Sequence, residues 1–152
     1  MKAAQSAIIA GLPVRSRWLC RDTPLDWDFS EARRGLRSAS RSDIAWGDVE
    51  REWADLLIFG SYDYAEGGGA SPWVAIRGTD GVVCGLDVER DRPMFWLNTS
   101  LERFIRTFAL LDQYLGHCQP LPPDIGVCVR GVDPEGYPKS EWRLMIDVLA
   151  TH

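Results

Sequence analysis

The segment Phe95-Trp96-Leu97-Asn98-Thr99-Ser100-Leu101-Glu102-Arg103-Phe104 constrains the fold more than any other part of the chain. Its first residues are aromatic and apolar, as in a β-strand, and an amphipathic helix follows directly. Thr99 and Glu102 have the spacing of a capping box, in which each side chain satisfies a backbone N–H of the other residue. Gly116 is expected to end the helix. The apolar positions at helical spacing are Leu101, Phe104, Ile105, Phe108, Leu111 and Leu115.

Three more strands are predicted upstream of this junction. Alternating or continuous apolar residues over short segments are typical of strands, and Asp80-Gly81 is typical of a tight hairpin turn. The predicted strands cover residues 55–60, which end at Gly60, then 73–77, 82–88 and 93–97. A polar loop is predicted over residues 62–71. Strands that follow one another through short turns indicate an antiparallel meander.

Helices are expected on both sides of these strands. A short helix is predicted over residues 3–10, whereas residues 15–42 show no clear periodicity and residues 33–41 are interpreted as a basic loop. After Gly116 we expect a proline-containing loop and a turn at residues 133–136. A last helix is predicted from about Ser140, with Trp142, Met145, Ile146 and Leu149 on its apolar face. Residues 1–152 are thus predicted to form a single α+β domain, a central antiparallel sheet packed with flanking helices.

The charge of the chain bears on its partners. A net charge of −5 argues against direct binding of nucleic acid, which needs a basic surface. Residues 15–41 are mostly basic and residues 43–66 mostly acidic. These segments are either two solvated faces of one domain or, for the second, an acidic face for a basic partner. No apolar run approaches the ~20 residues of a membrane span, and we expect a cytoplasmic protein without membrane contact.

The sequence offers little catalytic chemistry. It contains no nucleophile elbow, zinc-protease helix or phosphate-binding loop, so we expect a protein that is not an enzyme. The four cysteines have no C-x-x-C spacing and only two histidines accompany them, so no metal site or cofactor is expected. Cys84 is predicted to be a packed core thiol. Asp87 and Glu89 are either the solvated face of a strand or an acid–base pair.

An aromatic and acidic segment follows the first central strand. Tyr62, Tyr64 and Trp73 flank Asp63 and Glu66. Such residues on a loop are either ordinary decoration of a sheet edge or a patch that recognises another protein, because exposed aromatics dominate many interfaces.

Several of these segments together resemble the SUKH superfamily, and within it the fourth family of SUKH immunity proteins. The similar segments are Leu56-Leu57-Ile58-Phe59-Gly60, Val83-Cys84-Gly85-Leu86-Asp87 and the segment from Phe95 to Phe104, with Gly11-Leu12-Pro13 near the start and Trp142 in the closing helix. The likeness is densest over residues 56–115. Thr99 replaces a serine of the family pattern and keeps its hydroxyl. Residues 62–71 and the arginine-rich segment before Asp43 match nothing in the family.

The resemblance implies a bacterial immunity protein of SUKH-like fold. Such proteins bind and neutralise a cognate toxin domain, often a nuclease or a nucleic-acid deaminase, and are not enzymes. A toxin that handles nucleic acid tends to be basic, which an acidic protein would match. The candidate partner-binding residues are Tyr62, Asp63, Tyr64, Glu66, Trp73, Asp87, Glu89 and Asp91.

Two alternatives stay open from the sequence. The first is an interaction or regulatory module of the same fold that binds a protein other than a toxin. The second is a small-ligand binder or hydrolase that uses Asp87 and Glu89.

Overall fold

A computed structural model describes residues 9, 11–18, 24–33, 37–38, 56–64, 71–87 and 94–150. Within these residues, seven strands form one sheet: β1 Arg15–Trp18, β2 Leu25–Asp28, β3 Arg37–Ser38, β4 Leu56–Tyr64, β5 Trp73–Arg77, β6 Val83–Leu86 and β7 Met94–Asn98. The helices are α1 Ser30–Arg33, α2 Leu101–Leu115, α3 Ile125–Val132 and α4 Glu141–Ala150, with a 3₁₀ turn at Tyr137–Lys139.

The strands pair in the order β1-β2-β4-β5-β6-β7, and every pairing is antiparallel. The short β3 pairs with the first half of the long β4, while β2 pairs with its second half. The predicted α+β class with an antiparallel meander is therefore confirmed. The predicted helix at residues 3–10 lies outside the described residues except for Ile9, which is helical and buried.

One face of the sheet, here called the inner face, packs against α2 and α4 through aromatic rings. Phe104 of α2 contacts Phe59 at 5.4 Å between ring centroids. Trp27 of β2 lies 5.4 Å from Phe108 of α2 and 5.7 Å from Trp142 of α4. Each such ring contact adds about 0.5–1.5 kcal/mol beyond the burial of its surface. The predicted apolar faces of α2 and α4 are therefore the ones that cover the sheet.

The start of α2 differs from the prediction by one residue. Ser100, not Thr99, is the N-cap, and its hydroxyl accepts a hydrogen bond of 3.2 Å from the backbone N–H of Arg103. Glu102 lies exposed in the first turn. Thr99 is held instead by Asp133, which accepts hydrogen bonds from its backbone N–H and its hydroxyl. Both Thr99 and Ser100 can cap a helix, and the tertiary contact with Asp133 decides between them.

The strand predicted to end at Gly60 continues to Tyr64, and the loop predicted over residues 62–71 was wrong for its first three residues. The pairing of β4 with β5 shifts register between Ile58 and Gly60, as at a β-bulge. A Cβ atom at Gly60 would lie 2.5 Å from Cδ1 of the buried Phe29 ring. Gly60 is therefore a site of close packing inside the strand rather than its end.

The strands β1, β2 and β3 and the helices α1 and α3 were not predicted. The strands β1 and β2 have only four residues each, and β3 falls within the predicted basic loop. The helix α3 follows the proline-containing loop and buries only Ile125 and Val129, so its apolar periodicity is short. Elements this short carry few repeats of their period, which is the signal that sequence reading depends on.

The remaining predictions hold closely. The strand β5 has the predicted bounds, and Gly81 in the following turn has a φ of 77°, which favours glycine. The strand β6 is shorter than predicted, and β7 is displaced by one residue. The last helix begins after Ser140, whose hydroxyl accepts a hydrogen bond of 3.1 Å from the backbone N–H of Trp142.

Candidate functional site

The outer face of the sheet is charged where β1 and β2 form it. Along β1, Ser16 and Trp18 point inward, and Arg15 and Arg17 lie exposed on the other face. Along β2, Leu25 and Trp27 are buried and alternate with two half-buried aspartates, Asp26 and Asp28. Because successive side chains of a strand point to opposite faces, four charged side chains share the outer face.

The register of the strands arranges these residues in two cross-strand rows. One row contains Arg17, Asp26 and Asp63. The other contains Arg15, Asp28 and Ser61, and continues to Trp73 on β5. Residues 15–17, 26–28, 61–63 and Ser71 line an open depression of about 520 Å³ over these rows, which we call the charged groove.

The two arginines of the charged groove are matched with carboxylates. Arg17 donates from Nε and Nη2 to the two carboxylate oxygens of Asp26, at 2.7 and 2.9 Å. The hydrogen bonds and the charge of Asp26 raise the pKa of Arg17. Nε of Arg15 lies 3.9 Å from Oδ2 of Asp28. The arginine side chains are mostly exposed and the aspartate side chains partly exposed, so these pairs shape the surface more than they stabilise the fold.

Asp63 is different from the other two aspartates of the charged groove. It is exposed, and it lies directly opposite Asp26 on the neighbouring strand. Its carboxylate has no ion pair or hydrogen bond with any residue in the described part of the chain. Like charges directly opposite each other in a sheet are locally unfavourable. The described residues of the groove thus include three carboxylates and two guanidinium groups, and none of these residues pairs with Asp63.

The inner face fixes the position of the charged groove. Asp112 of α2 accepts hydrogen bonds from the Ser16 hydroxyl at 2.5 Å and from Nε1 of Trp18 at 2.8 Å. These bonds fasten β1 to α2. Nε1 of the neighbouring Trp27 is buried and finds no hydrogen-bond acceptor among the described residues. The strands that present Arg15 and Arg17 outward are therefore anchored from behind.

Beyond Trp73 the outer face becomes apolar. Trp73 is paired with Leu86, and Leu86 with Met94. The buried residues of this half are Leu56, Ile58, Ala75, Cys84 and Leu86, with Trp73 and Met94 partly buried beside them. Burial raises the pKa of the Cys84 thiol to about 12, so Cys84 is a protonated core thiol, as predicted. Trp73 thus lies between a charged half and an apolar half.

The structure separates the predicted partner-binding residues. Asp63 lies in the charged groove, and the half-buried Trp73 lies in the row that continues from it. Tyr62 is a correction: its side chain is only 3% exposed and packs on Trp27 at 4.9 Å between centroids. It points inward because it alternates with Ser61 and Asp63 along β4. It cannot serve as an exposed aromatic.

The other predicted residues lie elsewhere or outside the description. Tyr64 is the last residue of β4, and its backbone pairs with that of Leu25. Asp87 is half-buried and follows directly after β6. Glu66, Glu89 and Asp91 lie outside the described residues, so both interpretations of Asp87 and Glu89, a solvated strand face or an acid–base pair, stay predictions.

Sequence reading missed Arg15, Arg17, Asp26 and Asp28 as candidate residues. Their signal is present as an alternation of charged residues with serine, tryptophan or leucine in Arg-Ser-Arg-Trp and Leu-Asp-Trp-Asp. Such an alternation is typical of half-buried strands with one charged face. Its two copies are separated by residues without such alternation, and the antiparallel pairing that joins them is a tertiary feature.

A second polar cluster, the buried hub, joins β7, α2 and the segment before α4. It consists of the buried Asn98, Thr107, Asp133 and Ser140, with their partners Thr99, Arg103, Gly136 and Trp142. The side-chain amide of Asn98 forms hydrogen bonds through both its oxygen and its nitrogen. Its Oδ1 accepts one from Nε1 of Trp142 at 2.8 Å, and its Nδ2 donates one to Thr107 and one to Asp133, at 3.2 Å each.

Asp133 is the centre of the buried hub. It accepts five hydrogen bonds, from the backbone N–H and hydroxyl of Thr99, Nδ2 of Asn98, Nη1 of Arg103 and the backbone N–H of Gly136. Burial alone would raise the pKa of Asp133, but the hydrogen bonds from Thr99, Asn98 and Gly136 outweigh it and hold the pKa below its usual value. These bonds are all internal, so the hub has a structural role.

No group of three or more histidine, cysteine or acidic side chains that could hold a metal ion occurs among the described residues. The described helices are all too short or too polar to cross a lipid bilayer, including the 15-residue α2.

Comparison with known proteins adds no relative: no protein-family model, no curated protein and no solved structure matches the chain. The α+β class rests on the structure itself. The resemblance to SUKH immunity proteins stays a prediction from the sequence segments that carry it.

Proposed function

We propose that this chain is an immunity protein that binds a cognate bacterial toxin domain, a nuclease or a deaminase with a basic surface, and neutralises it in the cytoplasm. The observation that carries the proposal is the charged groove, where the exposed Asp63 has no ion pair with any described residue and lies beside two arginine–aspartate pairs. The resemblance of the strand-to-helix junction to SUKH immunity proteins supplies the class of partner.

The groove has the properties of a preformed protein-binding surface. Its residues lie on paired strands, and Asp112 fastens β1 to the helix behind it. A surface built on strands changes little on binding, so less conformational entropy is lost. Arginine and tryptophan, which occur here as Arg15, Arg17 and Trp73, are enriched in protein interfaces.

The charge of the chain supports a basic partner. With a net charge of −5, the protein attracts a positively charged protein at long range and speeds its association. A toxin that acts on nucleic acid carries a basic surface around its active site. An acidic protein docked on that surface keeps the nucleic acid out, and this mode of inhibition needs no chemical step.

Co-expression tests the proposal. The toxin domain encoded in the adjacent upstream reading frame is expressed in a bacterial host with and without this protein, and survival is measured. We expect survival only when both are present, and a stable complex when the two purified proteins are mixed and separated by size. Equal killing in both strains together with the absence of a complex would contradict the proposal. A neighbouring gene that encodes a partner without toxicity would favour the regulatory module.

A further inference from the structure

We propose that the charged groove receives an arginine or lysine side chain of the partner protein, and that Asp63 is the carboxylate that binds it. This inference rests on the proposed function for the identity of the partner. Its own basis is the distribution of charge over the two cross-strand rows.

Both guanidinium groups of the charged groove already lie beside a carboxylate. Both carboxylate oxygens of Asp26 accept hydrogen bonds from Arg17. Asp28 lies beside Arg15, and its Oδ1 also accepts a hydrogen bond of 2.8 Å from the backbone N–H of Ser30 at the start of α1. Asp63 is the groove carboxylate for which the described residues provide no cation. Among the described residues, Asp63 is therefore the groove carboxylate that is available to a further positive charge.

The positions of Asp63 and Asp26 also favour a bound cation. Asp63 and Asp26 are direct cross-strand partners, so their Cβ atoms are about 4.5–5.5 Å apart. A guanidinium or ammonium group placed over this pair lies close to both carboxylates and relieves their mutual repulsion. A guanidinium group can also bind Asp63 through two parallel hydrogen bonds. The groove has a volume of about 520 Å³ and is open to solvent, so one such side chain can enter it.

An acidic side chain is a poor ligand for the charged groove. An anionic side chain that enters the groove must compete with Asp26 for Arg17, whose two hydrogen bonds of 2.7 and 2.9 Å are already formed. It must also approach the unmatched charge of Asp63. A basic side chain meets neither obstacle, because it leaves both existing pairs intact.

A matched pair of variants tests the inference. Asp63→Asn and Glu135→Gln each remove one negative charge from an exposed position, but Glu135 lies between α3 and the 3₁₀ turn, outside the groove. The affinity of each variant for the toxin domain of the upstream reading frame is measured by calorimetry at about 50 mM and about 300 mM salt.

We expect Asp63→Asn to weaken binding about tenfold at low salt and to reduce its salt dependence, because a charge-assisted contact is lost. Glu135→Gln is expected to stay within about twofold of the unmodified protein, since only the long-range charge changes. Equal affinities for the two variants would overturn the inference while leaving the proposed function intact. A toxin that is bound by none of the three proteins would instead count against the proposed function.

A second measurement does not depend on the toxin. The protein labelled with ¹⁵N is titrated with a blocked triarginine peptide, and the backbone amide resonances are followed. We expect the largest shifts at residues 26 and 61–63, strongly reduced in Asp63→Asn and retained in Glu135→Gln. Shifts that are spread evenly over the acidic surface, or that persist in Asp63→Asn, would overturn the inference even if no toxin is found.

Discussion

In the buried hub, Asp133 accepts hydrogen bonds from four residues, whereas Asp63 in the charged groove accepts none from the described residues. Asp133 is 2% exposed, and Asp63 lies on the surface. A buried carboxylate must find its partners inside the protein, because leaving it unpaired costs several kcal/mol. An exposed carboxylate is solvated by water, needs no partner inside the protein and stays available to bind another protein.

The stability of the fold and the binding of a partner depend on different regions of this chain. The hub lies at the strand-to-helix junction, which is the most recognisable part of the sequence, and its contacts hold three elements together. The groove lies on β1, β2 and the last residues of β4, which were not predicted as strands from the sequence. We therefore expect substitutions in the hub to change stability and substitutions in the groove to change binding.

The largest expected effect is that of Asp133→Ala. This change removes the acceptor of the hydrogen bonds that Nδ2 of Asn98, the backbone N–H of Thr99 and Nη1 of Arg103 donate to Asp133. We expect it to lower the free energy of unfolding by about 3 kcal/mol. Urea unfolding followed by tryptophan fluorescence measures it. Glu135→Ala, two residues further along and exposed, is the control and should change stability by less than about 0.5 kcal/mol. Similar values for both variants would mean that the hub is not the anchor described above.

A smaller difference is expected between two buried tryptophans. Trp18→Phe removes a hydrogen bond to Asp112, whereas Trp27→Phe removes an indole N–H that has no acceptor among the described residues. Both changes delete the same atoms from the core. We therefore expect Trp18→Phe to be more destabilising by about 1–2 kcal/mol, measured as the difference in free energy of unfolding. The reverse order would show that the Trp27 N–H has a favourable interaction that its geometry does not reveal.

The pH dependence of stability tests the hub by its charge. The pKa of Asp133 is lower in the folded protein than the usual value of 3.8, so its ionised form stabilises the fold above that value. The contribution is lost as the pH falls through the folded-state pKa. The stability advantage of the unmodified protein over Asp133→Asn should therefore shrink between about pH 6 and about pH 2.5.

Urea unfolding at the two pH values measures this change. Asp80 also has a lowered pKa, owing to its hydrogen bonds with Arg77, but it is present in both proteins and cancels in the difference. An advantage that is the same at both pH values would contradict the assignment to Asp133.

The smallest expected effect on stability is that of Asp63→Asn. Because Asp63 is exposed and faces Asp26, the change removes a repulsion and no described contact. We expect the free energy of unfolding to stay within about 0.5 kcal/mol or to rise slightly. A marked loss of stability in thermal unfolding would place Asp63 among the structural residues and remove the contrast between groove and hub.

Much of the fold could be predicted because its central elements carry strong local signals. The strand β5, the turn at Gly81 and the apolar face of α2 each depend on residues close together in sequence. The N-cap of α2 was misplaced by one residue because Thr99 and Ser100 are equivalent locally. Only Asp133, 34 residues away from Thr99 in the chain, distinguishes them.

The candidate site was harder to predict for the same reason. Asp63 and Trp73 were singled out by residue type, and they share the outer face of the sheet. Tyr62 was singled out on the same grounds and is buried, because the strand extends past Gly60 and alternation turns its ring inward. The arginines of β1 were missed, since their partners lie on other strands.

The α+β class, the central strands and the apolar faces of α2 and α4 could be predicted from the sequence, because they follow from periodicities and turn residues within short segments. The tertiary structure alone decided which charged residues meet. Arg17, Asp26 and Asp63 come from three strands and share a row only through antiparallel register. Pairing of distant strands depends on packing of the whole inner face, and no local segment encodes it.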